Sequence, residues 1–238
     1  MPNSRALVIK SIKNGESSLI ISCYLEDIGL KSFIIKGVFG VKKSKFSKAL
    51  FFPLNLININ YVHNNKGLGY IKDAKSEIFY ESLYTNIEKS SVIVFLSEVV
   101  NGVLKEDIGQ NKSLFNFMAN SLSWYDKIDT CNNFHIKFMI ELSRFIGFYP
   151  NINKQEDNFF CLISGTTTSI ESSEKSISGQ DFRIFKQILG TKFEDLYMIE
   201  LSNELRIKML NYLIDYYSLH LQLFKTPKSI DVFAKIFK

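Results

Sequence analysis

The chain has 238 residues, of which 46% are hydrophobic and 22% charged, and its formal net charge at pH 7 is +5. This length allows one large domain or two small ones, and the composition is that of a folded globular protein rather than a disordered one. No apolar run approaches the roughly 20 residues that cross a bilayer. The N-terminus also lacks the apolar stretch of a signal peptide.

Three cysteines (Cys23, Cys131 and Cys161) lie far apart in the sequence. An odd number without a C-x-x-C pair favours free thiols in a reducing compartment over a disulfide framework or a thiolate zinc site. We therefore expect a cytoplasmic protein with no membrane partner.

The first 75 residues predict a small β-barrel. Apolar or alternating segments separated by turn residues predict five strands, at residues 6–12, 19–25, 31–38, 51–61 and 68–71. Five short strands in so few residues suit a closed barrel of the OB type, whose face binds single-stranded nucleic acid. We predict an OB-fold nucleic-acid-binding domain in residues 1–75.

From Lys75 onwards the apolar period changes from 2 to 3.6, which predicts an all-helical C-terminal domain in residues 76–238. Helices are predicted at residues 76–84, 87–105, 112–127, 133–147, 178–189, 202–223 and 230–237. Residues 150–177 are rich in Ser, Thr, Asn and Gly around a strand-like segment at 159–163, and predict an irregular hairpin or excursion. The predicted fold class is α+β.

Positive charge is concentrated in the predicted barrel. Residues 1–75 contain 12 Lys and Arg against 4 Asp and Glu, whereas residues 76–238 contain 17 against 20. The 45 residues from Ile28 to Lys72 include eight lysines and no acidic side chain. This segregation is typical of a polyanion-binding surface. Because 25 of the 29 basic residues are lysines, which lack the planar fork that reads base edges, we predict contact with the phosphate backbone.

The loop from Lys36 to Lys48 is the strongest candidate site, since its lysines alternate with Phe39 and Phe46. Each lysine that meets a phosphate releases counterions, and an exposed ring that stacks on an unpaired base contributes roughly 1–3 kcal/mol. The alternative is a solvated loop whose phenylalanines pack into the barrel. The predicted nucleic-acid-binding residues are Lys36, Lys42, Lys43, Lys45 and Lys48, with Lys31 and Arg5 as weaker companions, and the predicted stacking residues are Phe39 and Phe46.

Catalysis, metal binding and cofactor binding have little support in the sequence. His63, His135 and His220 do not have the spacing of metal ligands, and His135 and His220 are expected at an interface or at the surface of their helices. No glycine-rich phosphate loop or nucleophile elbow is present. We expect no metal, no cofactor and no enzymatic activity; a nuclease with an unrecognised metal site is the alternative.

Lys137 and Arg144 lie seven residues apart on a predicted helix, and hence on about the same face. Apolar residues lie nearby, so the two side chains would form a basic rim beside an apolar groove. Such a groove suits an acidic peptide with an apolar end. The alternative is a basic helix edge over ordinary core.

Six segments in chain order carry recognisable motifs. They are NGESSLI (14–20), EDIGLK (26–31), KGVFGVKKSKF (36–46), ALFFPL (49–54), LSRFIGFYP (142–150), and YYSLHL (216–221) followed by KSIDV (228–232). They resemble elements of the DNA repair protein RecO family, such as Y-G-E-x-D-x-I, K-G-x-x-x-x-K-S-R-F and L-x-x-L-G-F-x-P. Together they cover nearly the whole chain.

The resemblance implies an OB domain and a helical domain in a non-enzymatic recombination mediator. Such proteins bind single- and double-stranded DNA, anneal complementary strands, and work with RecR to load RecA onto DNA coated by single-strand-binding protein, whose acidic tail they engage. Two departures stand out: Ser18 replaces the Asp of the turn motif, and only Cys161 lies where some members carry four zinc-binding cysteines. An RNA-binding OB-fold module is the alternative function.

Overall fold

The computed structural model of the protein describes residues 2–39, 45–62, 64, 67–129, 133–153, 157–170 and 175–231. The chain forms two compact units, residues 1–126 and 127–238. The first unit contains a barrel and two helices, and the second contains three helices and a small sheet. The sequence-based boundary at residue 75 stays a prediction.

The N-terminal region is a closed five-stranded barrel, which confirms the OB-type barrel predicted from the sequence. The strands are β1 (Asn3–Asn14), β2 (Ser18–Leu25), β3 (Gly29–Ile35), β4 (Leu56–Val62) and β5 (Gly69–Ser76). Their order around the barrel is β1-β2-β3-β5-β4, and all described pairings are antiparallel except that of β3 with β5. A 3-10 turn at Lys48–Phe51 occupies the start of the predicted fourth strand.

Alternation along each strand places apolar side chains inside the barrel. Ile21, Phe33 and Ile59 are almost completely buried, as are Tyr61 and Ile71, and the Phe33 and Tyr61 rings meet edge to face with centroids 5.6 Å apart. Gly69 makes this packing possible, because a Cβ at that position would lie 2.7 Å from the Phe33 ring. The barrel interior is therefore a filled core, and any ligand must bind to its outer surface.

Two helices follow the barrel in the first unit: α1 (Ile87–Leu104) and α2 (Lys112–Lys127). The predicted helix at residues 76–84 is wrong, because β5 continues to Ser76 and residues 77–86 form bends and turns. The Asp126 carboxylate accepts hydrogen bonds from the backbone N–H groups of Glu81, Ser82 and Leu83, at 2.9, 2.8 and 3.0 Å. This carboxylate stabilises the non-helical path of the segment.

The second unit contains α3 (Phe134–Phe145), α4 (Gly179–Gly190) and α5 (Asn203–His220). The predicted excursion at 150–177 includes a three-stranded sheet of order β7-β6-β8. Its strands are β6 (Phe159–Cys161), β7 (Thr166–Thr168) and β8 (Ser176–Ser178). The predicted hairpin corresponds to β6 and β7, and β8 was not predicted. Residues 232–237 of the predicted terminal helix lie outside the described residues.

His135 is fully buried in α3, so of its two predicted positions, at an interface or at the surface, the surface position is wrong. Burial, with a smaller contribution from the positive charge of Arg206, lowers the pKa of His135 to about 3. The imidazole is therefore neutral at physiological pH and belongs to the core of the second unit. His220 is partly buried, and its ring stacks on Phe148 with centroids 5.0 Å apart.

Candidate nucleic-acid interface

The predicted basic loop is described in part. Lys36 is exposed directly after β3, and Lys48 is exposed at the start of the 3-10 turn. Lys31 is half-buried on β3. Lys42 and Lys43 lie outside the described residues. Three of the five principal candidates thus have defined positions, and Lys36 and Lys48 are both open to solvent.

Two lysines that are far apart in the sequence lie close to the Phe39 ring. Phe39 is half-buried against the barrel core, and the Lys48 ammonium lies 4.5 Å from its ring centroid. The Lys13 ammonium, at the end of β1, lies 5.4 Å from the same centroid. We call these three residues the Phe39 cluster. Each cation–π contact at an exposed site contributes about 0.5–1 kcal/mol, so the ring favours positions of both ammonium groups close to it.

The two lysines of the Phe39 cluster keep their charge available. Among the residues that the structure describes, no carboxylate forms an ion pair with Lys13, Lys36 or Lys48. Lys45 differs, because its ammonium lies 3.5 Å from the Asp73 carboxylate and also donates to the Lys72 carbonyl. Both members of that ion pair are well exposed, so water and salt screen it strongly. A phosphate is therefore able to compete for Lys45.

The two predicted stacking residues have other contacts. Phe46 is only 8% exposed, and its ring packs edge to face on Phe51 with centroids 6.0 Å apart. Phe39 is covered by the two lysines of its cluster. These placements favour the packing interpretation, because Phe46 is buried and Phe39 packs against the barrel core with two lysines close to its ring.

Arg5 also has an occupied side chain. Its guanidinium lies 3.7 Å from the carboxylate of Glu26 and 3.9 Å from that of Glu77, and it stacks 5.3 Å from the centroid of the Phe115 ring. These groups draw Arg5 into contacts between the barrel and α2 within the first unit. The placement does not support the predicted role of Arg5 in nucleic-acid binding.

Comparisons with known proteins identify the family. The model of the recombination protein O N-terminal domain matches residues 1–79, and the model of its C-terminal domain matches residues 84–229. The DNA repair protein RecO of Flavobacterium johnsoniae is 34% identical over 98% of each chain. That of Bacteroides fragilis is 30% identical over 97% of each chain. The chain belongs to the RecO family.

Membership of the RecO family makes this a DNA repair protein, as the resemblance of its motifs predicted. The family models meet near the end of the barrel, with the N-terminal match ending at residue 79 and β5 ending at Ser76. The closed barrel with the exposed lysines is therefore the RecO N-terminal domain.

Lys137 and Arg144 do not form the predicted basic rim of this RecO-family protein. Lys137 is only 4% exposed, and its ammonium lies 2.8 Å from the Glu141 carboxylate and donates to the Leu189 carbonyl at 2.9 Å. Arg144 is exposed but also pairs with Glu141, at 3.2 Å, and its guanidinium lies 3.7 Å from the Tyr149 ring centroid. Glu141 thus pairs with both cations, because it follows Lys137 by one helical turn, and its single negative charge balances one of the two positive charges.

An open cavity of about 820 Å³ lies beside these residues in the second unit. Its lining includes apolar side chains and one ammonium group. The lining residues are Tyr149, Pro150, Asn151, Ile152, Lys186, Leu189 and Gly190. The positive charge at this cavity therefore comes from Lys186 and, behind Tyr149, from Arg144.

The described residues contain neither a candidate metal site nor a candidate membrane-spanning helix. Within the described ranges, no cluster of three or more His, Cys, Asp or Glu side chains has an arrangement suited to a metal ion. The helices of the same ranges are all too short or too polar to span a bilayer.

Proposed function

We propose that this RecO-family protein is a recombination mediator that binds single- and double-stranded DNA through the lysines of its barrel without reading the base sequence. The Phe39 cluster carries the proposal. It places two ammonium groups within 5.4 Å of the centroid of one ring that is packed against the barrel core, and Lys36 lies three residues before that ring. Point charges held in this way match phosphates, which repeat along any strand.

Strand annealing follows from the same chemistry. Two complementary strands repel each other through their phosphates, and bound lysines neutralise part of that charge. The strands then meet, and base pairing supplies the sequence specificity that the protein lacks. The proposed mechanism needs no covalent step, so the protein acts as a mediator and not as an enzyme. It works with RecR to load RecA onto DNA covered by single-strand-binding protein.

An annealing assay tests this function. We expect the full chain to accelerate annealing of two complementary DNA strands, and a non-complementary single-stranded DNA competitor to suppress that acceleration more strongly than an RNA of equal length. An RNA that competes at least tenfold better than DNA would favour an RNA-binding OB-fold module instead. Loss of labelled DNA on addition of a divalent metal would instead indicate a nuclease.

We further propose that the acidic tail of single-strand-binding protein binds at the cavity beside Tyr149. Lys186 and Arg144 supply positive charge there, and Pro150 and Leu189 supply an apolar wall for the end of the peptide. This assignment replaces Lys137 with Lys186, because Lys137 is buried and paired with Glu141.

Peptide titration tests the proposed tail site. Hydrogen bonds to charged groups contribute about 1.5–3 kcal/mol, so we expect the double variant Arg144→Glu, Lys186→Glu to bind a synthetic tail peptide at least about tenfold more weakly. The control is Lys127→Glu with Lys225→Glu, which changes the net charge equally at two exposed lysines that neither line the cavity nor neighbour its lining residues in the sequence. Equal affinity of both double variants for the peptide would contradict the proposal.

A further inference from the structure

Five apolar side chains form an outward-facing row across all five strands of the barrel. They are Ile12 on β1, Ile20 on β2, Ile34 on β3, Tyr70 on β5 and Val62 on β4. Each is the register partner of the next, so the row has no gap from Ile12 to Val62. Because neighbouring strands lie about 4.8 Å apart, the apolar row follows the barrel surface for about 19 Å.

The apolar row is unusually open to solvent. Ile12 is 48% exposed, Tyr70 49% and Val62 42%, and the isoleucines between them are half-buried. Outward positions of a barrel that faces water normally carry polar residues, as Ser22 and Ser32 do in the adjoining row. A contiguous exposed apolar surface marks a binding site more often than isolated apolar residues do.

Positive charge flanks the apolar row on both sides. Lys36 follows Ile34 by two residues, directly after the end of β3, and Lys72 follows Tyr70 by two residues at an irregularity in the β4–β5 register; both lysines are exposed. Lys10 precedes Ile12 by two residues and is exposed on the other side of the row. Asp73, which follows Lys72, is paired with Lys45. The occupant of the row therefore combines apolar faces with negative charge.

Single-stranded DNA meets both requirements at once. Its unpaired bases have exposed π-faces, and its phosphates are within one backbone unit of them. Duplex DNA offers only the phosphates, because its bases are stacked inside the helix. The direction of the row also suits single-stranded DNA. A DNA strand that crosses the β-strands at right angles would lie along the row, with lysines on either side of it.

We propose that the apolar row is the base-contacting surface of this protein for single-stranded DNA, and that Tyr70 is its stacking residue. The inference rests on the proposed DNA-binding function and adds to it a surface that distinguishes unpaired from paired strands. The Tyr70 ring stacks on one base, Ile34 and Ile20 contact its neighbours, and Lys36 and Lys72 bind the adjoining phosphates. The lysines alone bind both forms of DNA.

The test compares three probes of equal length on the full chain: a thymidine single strand, an abasic single strand and a duplex. We expect Tyr70→Ala to weaken binding of the thymidine strand about tenfold, which corresponds to about 1.4 kcal/mol. Binding of the abasic strand and the duplex is expected to change less than about twofold, because Tyr70→Ala removes no charge. Tyr70→Phe, which keeps the ring, should bind all three probes as the unmodified protein does.

Phe79→Ala is the matched control, because Phe79 is 85% exposed in the same unit but lies outside the apolar row. It should leave all three affinities unchanged. Ile34→Ser is a second row variant, which should lose affinity for the thymidine strand only. Because the altered side chains point outward, melting temperatures near that of the unmodified protein are expected and confirm folding.

Several results would overturn the inference. They are unchanged affinity of Tyr70→Ala for the thymidine strand, an equal loss on the abasic strand, or a row variant that dissociates a dimer without changing DNA affinity. Each of these requires that the unmodified protein binds single-stranded DNA. If instead the proposed DNA-binding function is wrong, the unmodified protein will bind none of the three probes, and the two failures can be distinguished in this way.

Discussion

Replacing Lys36, Lys45 and Lys48 with glutamate is expected to weaken single-stranded DNA binding about 100-fold at 0.1 M salt. Each phosphate contact to a single strand contributes about 0.7 to the slope of log affinity against log salt. Loss of three contacts therefore makes this slope shallower by about 2. Over the tenfold range from 1 M to 0.1 M salt, a slope difference of 2 corresponds to about a 100-fold difference in affinity. These three lysines are exposed on the described part of the barrel.

The control for this variant changes the charge equally at another place. Lys112, Lys192 and Lys225 are exposed lysines outside the barrel, and their replacement with glutamate also lowers the net charge by six. We expect this control to lose less than about fivefold in affinity, because long-range attraction between separated charges is screened at this salt concentration. If both triple variants lose affinity equally, the overall charge and not the barrel surface governs binding. A titration with a labelled single strand measures both.

Asp126→Ala is expected to lower the free energy of unfolding by about 3–4 kcal/mol. The substitution leaves the N–H groups of Glu81, Ser82 and Leu83 without their carboxylate acceptor, and an unsatisfied buried group costs about 1–3 kcal/mol. The Ser82 side chain loses a further bond to Asp126, at 3.2 Å. Because this carboxylate holds the connection between β5 and α1, its loss loosens the whole segment. Urea denaturation followed by circular dichroism measures the change.

Two further variants and the pH dependence of stability test the role assigned to Asp126. Asp126→Asn keeps one acceptor oxygen and should lose less than Asp126→Ala, whereas Glu16→Ala, at an exposed turn, should change stability by less than about 0.5 kcal/mol. Burial opposes ionisation of Asp126, but its backbone hydrogen bonds outweigh burial and lower its pKa. This contribution to stability is therefore complete above the unfolded-state pKa near 4, and is lost as the pH falls through the lower folded-state pKa. Equal stability of the alanine and unmodified proteins at pH 7 would contradict the assignment.

The barrel was predictable because its determinants are local. Strands β1 to β3 are bounded by turn residues and alternate or cluster apolar side chains within a few positions, so each strand is recognisable from its own segment. The segment at 76–84 was not predictable in this way. Its backbone is held by Asp126, which lies more than 40 residues away in the sequence. Tertiary contacts of this kind override local helical periodicity.

The candidate site was predictable in its charge and not in its aromatic residues. The acid-free lysine stretch is visible in the sequence, but Phe46 meets Phe51, and Phe39 meets Lys13, only through the folded barrel. The position of Tyr70 on the outer surface next to Ile34 was not predictable from the sequence, because it depends on the register between β3 and β5. That parallel pairing joins strands that are not consecutive in sequence, so no local pattern fixes it.

One error had a signal in the sequence. Lys137 is followed four residues later by Glu141, and this spacing predicts an ion pair along one helical face. Because Lys137 is paired with Glu141, its charge is not available to an acidic peptide. Lys186 and Arg144 are the cations that lie near the cavity. The spacing of Lys137 and Glu141 therefore predicts from the sequence alone that Lys137 is paired within its own helix.

Salt dependence of single-stranded DNA binding tests the central claim, that exposed barrel lysines bind the phosphate backbone. Affinity is measured at several salt concentrations for the unmodified protein and for the variant with Lys36, Lys45 and Lys48 replaced by glutamate. We expect log affinity to fall linearly with log salt in the unmodified protein, and the slope of the variant to be shallower by about 2. A slope near zero in the unmodified protein, or equal slopes in the two proteins, would contradict it.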